Sequence, residues 1–163
     1  MKQKKYDYAT AHNKAVTLYQ KCSMVIFFIA LLNITGAITG CFNRQNTLHF
    51  FPSLVSNVLI FRLLSNLSLN IIVNSILNVA ISIGFGAIFA WLWYMAKRGK
   101  ILAIYFAFGL YLLDVIIMFI FFRGEGTFMT QLLLHLLIIG FLIAAVMFYY
   151  QVLDIEKKFK KKG

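Results

Sequence analysis

Acidic residues are scarce in this chain: five Asp and Glu stand against sixteen Lys and Arg in 163 residues, and there is a single proline. Charge of either sign amounts to only 13% of the residues, where ordinary soluble domains carry about 25%. Cysteine is limited to Cys22 and Cys41. Nineteen helical residues would hold these roughly 28 Å apart, well beyond the ~7 Å that a disulfide tolerates between Cα atoms. Neither cysteine stands at ligand spacing from His12, His49 or His135, so no metal or cofactor is expected. Gly-x-Ser-x-Gly and His-Glu-x-x-His are also missing. Ser53, Ser56 and Ser65 have no evident base to activate them. Together these gaps argue against an enzyme.

What the chain does have is apolar surface. Hydrophobic residues make up 61% and aromatics 17%, more than a soluble fold of this size can hide in one core. Four uncharged or nearly uncharged runs follow one another: Ser23–Cys41, Ile71–Ala96, Ile101–Phe122 with Asp114 inside it, and Thr127–Val152 with His135 inside it. Each is long enough to cross the ~30 Å hydrocarbon layer as a helix. Unpaired backbone groups are too costly in lipid for anything but helices or closed barrels, and barrels need short alternating segments. The expected fold is an all-α, four-helix membrane bundle. It is a single transmembrane domain flanked by basic segments at 1–21 and 153–163, the latter disordered from 157. Short turns at 97–100 and 123–126 make successive helices antiparallel.

The net charge of +11 is not a nucleic-acid footprint, because thirteen basic residues cluster at the ends of apolar runs. Five lie in 1–21, five in 157–162, and Lys97, Arg98 and Lys100 share one turn. The positive-inside rule then predicts both termini in the cytoplasm, with Arg44, Arg62 and Arg123 outside. Anionic headgroups are the expected partners of the basic ends. Trp91, Trp93, Tyr94, Tyr149 and Tyr150 form an inner aromatic belt. Abundant Lys, Asn, Ile and Phe resembles the composition of AT-rich bacterial genomes, so a bacterial plasma membrane is the expected location. The long 42–70 connection is expected to hold a short helix around 48–66, interfacial or re-entrant, breaking at Ser65–Ser68 before the second span.

Three local patterns carry further expectations. Ile38-Thr39-Gly40-Cys41 has the form of a bacterial lipobox, which would make Cys41 a lipidation site. Gly36 and Gly40 are spaced as Gly-x-x-x-Gly, the close-approach motif of membrane helices, for contact within the bundle or with a second copy. Asn66, Asn70, Asn74, Asn78 and Ser82 recur every fourth residue, a stripe suited to interhelical hydrogen bonds or to a water-filled path.

Asp114 and His135 stand equally far from the turn between the third and fourth spans, which predicts that they meet about 12 Å below the outer boundary. Counting inward along the other spans brings Asn33 and Asn78 to the same depth, with Tyr111 and Gln131 one turn away and Asn74 further out. Ionisable residues inside a membrane are the natural candidates for function. The reading that fits best is a non-enzymatic subunit or accessory factor of a membrane complex, with a protein partner or a second copy. A small proton-linked transporter or channel built on this cluster is the alternative, and an intramembrane enzyme the second alternative.

Overall fold

The computed structural model describes residues 2–42, 59, 60, 62–64, 66 and 70–160, with the backbone alone at 2–7, 37, 39–42 and 71. Among these residues the protein is entirely helical. Four long helices follow in order: α1 (Lys2–Phe42), α2 (Ile71–Lys97), α3 (Ile101–Phe121) and α4 (Phe128–Lys160). All four contain stretches long and apolar enough to cross a membrane. Residues 59, 60 and 62–64 are helical as well, while the rest of the expected 48–66 helix lies outside the described residues, except that Asn66 stands in a turn.

α1 differs from the expected arrangement of a basic segment lying at the headgroups and a separate span. It is one unbroken helix of 41 residues, about 60 Å at 1.5 Å per residue. Nothing between Lys2 and Phe42 breaks it, since the only proline lies beyond. Its buried positions, Ala15, Tyr19, Cys22, Ser23, Ile26, Ile29, Ala30 and Asn33, form one stripe at three- and four-residue steps. Residues 2–21 thus continue the span collinearly rather than forming a separate helix. α4 does the same at its other end, continuing to Lys160 where a disordered tail was expected from 157.

The two extensions run side by side. His12 Nε2 lies 3.1 Å from Glu156 Oε1, the rings of Tyr8 and Phe159 stack at 4.0 Å, and Tyr19 meets Tyr149 at 5.8 Å. The hydroxyl of Tyr19 donates to the Ala96 carbonyl at 2.5 Å, which sets the foot of this stalk beside the end of α2. Both chain ends and the α2–α3 turn therefore share one end of the bundle, called here the terminal end. The α3–α4 turn marks the far end.

Helix ends are specified locally. Asn70 caps α2, its side chain accepting from the Ile72 N–H at 3.0 Å. Gly99 closes α2 at φ 77°, with Lys100 N–H reaching back to Met95 and Gly99 N–H to Ala96, the Schellman pattern that requires a left-handed residue. Arg98 lies over the Tyr94 ring and Lys97 over Trp93, cation–π contacts at this basic turn. At the far end Arg62 pairs with Glu125 and covers the Phe122 ring.

Around the bundle axis α1 packs on α2 and α4, and α3 completes the square against the same two helices. Small residues line the seams: Ala15, Ala30, Ala96, Ala103, Ala107 and Ala145 are all buried. Gly86 marks a close approach of α2 to α1, since a Cβ there would stand 2.9 Å from Ile34 Cγ1 and 3.4 Å from the Ala30 carbonyl oxygen. Close backbone approach by small residues is how helices gain contact energy in lipid, where hydrophobic exclusion no longer drives association. The outward faces of the spans are largely apolar, with Ile72, Ile76, Phe106, Ile120, Leu133 and Met147 exposed. In water such a surface would aggregate; in lipid it is solvated.

Candidate functional site

The buried stripe of α2 changes character along its length. Towards the terminal end it is apolar, with Phe89, Leu92 and Ala96; towards the far end it is Asn74, Asn78 and Ser82. Four-residue steps put these on one face. The first two members of the sequence stripe, Asn66 and Asn70, are exposed, and Asn70 serves as the cap.

α3 and α4 supply the ionisable pair. Asp114 and His135 are almost wholly buried, at 2% and 1% exposure, and Asp114 Oδ2 lies 3.2 Å from His135 Nε2. The other ring nitrogen, Nδ1, is 2.7 Å from the carbonyl oxygen of Gln131 on the preceding turn. A carbonyl can only accept, so Nδ1 carries a hydrogen. The Nε2–Oδ2 bond then contains one proton, held either by the ring or by the carboxyl group. In both arrangements the pair has no net charge, which avoids the cost of an isolated ion in a medium of low dielectric. Tyr111, one turn before Asp114, stacks on the imidazole at 5.1 Å and 22°.

Asn33 on α1 is also fully buried, and its amide donates to the backbone carbonyl of Ser82 at 2.8 Å. Carrying the antiparallel register of α1 and α4 fourteen residues along from Tyr19 and Tyr149 brings Asn33 level with His135. One polar layer thus crosses the bundle, drawn from Asn33, Ser82, Asp114 and His135. Counting inward on the sequence names Asn78 as the α2 member, but Ser82 holds that place, one turn further along. The count fails because it assumes that the spans start at equal depth. Asn78 and Asn74 lie one and two turns nearer the far end, as Gln131 does on α4.

Among the described residues, Asn74 Oδ1, Asn78 Oδ1 and Ser82 Oγ are buried with no hydrogen-bond partner. Below the polar layer, towards the terminal end, Ile26, Phe89, Ile104 and Leu142 are each 0–1% exposed and wholly apolar. No cluster of three or more His, Cys, Asp or Glu suited to a metal occurs among the described residues. Gly36 is partly exposed in α1, while the side chains around Gly40 and Cys41 lie outside the described residues. The close contact at Gly86 was missed in the sequence, where Gly84-Phe85-Gly86 lacks the four-residue spacing of the familiar motif.

No known protein family, characterised protein or solved structure matches this chain. Fold and site together define its class: a small, all-helical, multi-pass integral membrane protein with a polar layer buried between four apolar helices.

Proposed function

We propose that this protein is a non-enzymatic subunit or accessory factor of a membrane complex in a bacterial plasma membrane, with both termini and the Lys97–Lys100 turn in the cytoplasm. The observation that carries the reading is the apolar layer of Ile26, Phe89, Ile104 and Leu142 beneath the polar one. A conducting protein needs polar groups or water along its whole path, and this layer supplies none. The neutral Asp114–His135 pair then acts as a register pin between α3 and α4. The orientation rests on the thirteen basic residues of 1–21, 97–100 and 157–162.

The reading is tested by reconstituting the purified protein in vesicles loaded with a pH-sensitive dye. Under an imposed proton gradient, flux no faster than in protein-free vesicles is expected. In gently solubilised native membranes the chain should migrate in an assembly with other subunits, and the same assembly should be lost when the chain is deleted. Flux that disappears in Asp114→Asn would overturn the reading in favour of proton-linked transport.

A further inference from the structure

Among the described residues, three oxygens on α2 in the far half of the bundle have no hydrogen-bond partner: Asn74 Oδ1, Asn78 Oδ1 and Ser82 Oγ. Their residues are 7%, 5% and 0% exposed. Leaving one buried polar group unsatisfied costs about 1–3 kcal/mol, and a native fold holds a margin of only ~5–15 kcal/mol. Three such groups on successive turns of one helix are therefore a demand for donors. Lipid tails have none to offer, and of the buried side chains facing this half from α3 and α4, Met118, Phe122 and Phe128 are apolar and Gln131 alone carries an amide.

We propose that a file of water molecules occupies this seam of α2. It enters at the far end near Asn74 and stops at the polar layer of Ser82, Asn33, Asp114 and His135. The spacing favours water over a bare cation. Residues four apart on a helix are separated by about 6 Å along the axis. One water accepting the task between two oxygens spans about 5.5–6 Å, two hydrogen bonds of ~2.8–3.0 Å. A hard cation such as Ca²⁺ holds its oxygens at ~2.3–2.6 Å, so a single ion reaches across at most about 5 Å. Water also both donates and accepts, which suits two amide oxygens that only accept and a Ser82 hydroxyl that can do either.

The consequence is one-sided access. The apolar layer of Ile26, Phe89, Ile104 and Leu142 ends the file, so the His135–Asp114 bridge exchanges its proton with the far end and not with the terminal end. Groups facing that bridge include Tyr111 stacked on the ring, the Gln131 carbonyl on Nδ1 and, at the same level, Asn33 and Ser82. The protein remains non-conducting: this is a blind polar seam rather than a pore.

The test is water-edited solid-state NMR on the full chain in lipid bilayers, supported by hydrogen–deuterium exchange at the imidazole of His135. Magnetisation from water should reach the side chains of Asn74, Asn78 and Ser82 at least several-fold faster than those of Phe89, Ile104 and Leu142. Asn78→Leu, which fills the seam without touching the ionisable pair, should slow exchange at His135 by tenfold or more while leaving the Asn33 amide signal in place. Ser82→Ala serves as a gentler second variant, with a smaller slowing in the same direction. Build-up at Asn78 and Ser82 as slow as at Phe89 would overturn the proposal. So would His135 exchange indifferent to Asn78→Leu, or an Asn78 signal that shifts with sodium but receives nothing from water.

Discussion

His135 uses both ring nitrogens inside the bundle, one on a backbone carbonyl of its own helix and one on the carboxyl group of Asp114. Because the first bond must be a donation, the second contains a single proton, and the pair is a neutral unit that either residue can carry. A substitution is therefore judged by whether it keeps a donor or acceptor for the remaining partner. Asp114→Asn keeps one, since its amide donates to a neutral Nε2, and is expected to lower stability by less than about 1 kcal/mol. Asp114→Leu leaves Nε2 of the imidazole without a partner in an apolar setting, a loss of ~1–3 kcal/mol. Leu at both positions removes the stranded group and should cost less than the sum of the two single changes. Unfolding in mild detergent, read as a double-mutant cycle, measures this coupling. Additive effects would mean that the two side chains do not share a bond.

At the scale of elements, the decisive contact is the seam of α1 and α2. A side chain at Gly86 has nowhere to go, with Ile34 and the Ala30 carbonyl within 3.4 Å of where its Cβ would stand. Two residues earlier, Gly84 has nothing within 4 Å of the same position. Gly86→Leu is expected to destabilise the bundle by about 1–3 kcal/mol through overpacking, and Gly84→Leu to leave it nearly unchanged. Thermal unfolding of the two variants side by side checks this, and equal melting shifts would refute the close approach. The stalk formed by the ends of α1 and α4 belongs to the same scale. It was hidden in the sequence because both of its strips are short, basic and weakly apolar, and each is helical only as a continuation of a long span. Pairing of Tyr8 with Phe159 and of His12 with Glu156 joins residues some 150 positions apart, and no local pattern announces such a partner.

For the whole molecule, the end of the bundle that holds the paired ends of α1 and α4 also holds Lys97, Arg98 and Lys100, and this gathers most of the described basic residues on one side, with Arg62 and Arg123 at the other. Orientation in the cell then has a direct check. With Cys22 and Cys41 replaced, single cysteines at Gly99 and Lys160 should react with an impermeant maleimide only after permeabilisation, and one at Glu125 in intact cells. Labelling of Gly99 from outside would reverse the orientation.

The number of spans, their helical nature and the sidedness of charge were legible in the chain, because each is a local property: run length against bilayer thickness, backbone satisfaction in lipid, and the position of Lys and Arg. The meeting of Asp114 with His135 was legible too, since a short turn fixes the register of the two helices it joins. What lay beyond reach were the relations between helices joined by no short turn. Asn33 of α1 meets α2 at Ser82, one turn along from the Asn78 that counting from the outer ends names. The apolar group of Ile26, Phe89, Ile104 and Leu142 likewise draws one residue from each helix, and all four are indistinguishable in sequence from the outward-facing residues beside them. In an apolar span, composition does not say which face is inside; only packing does.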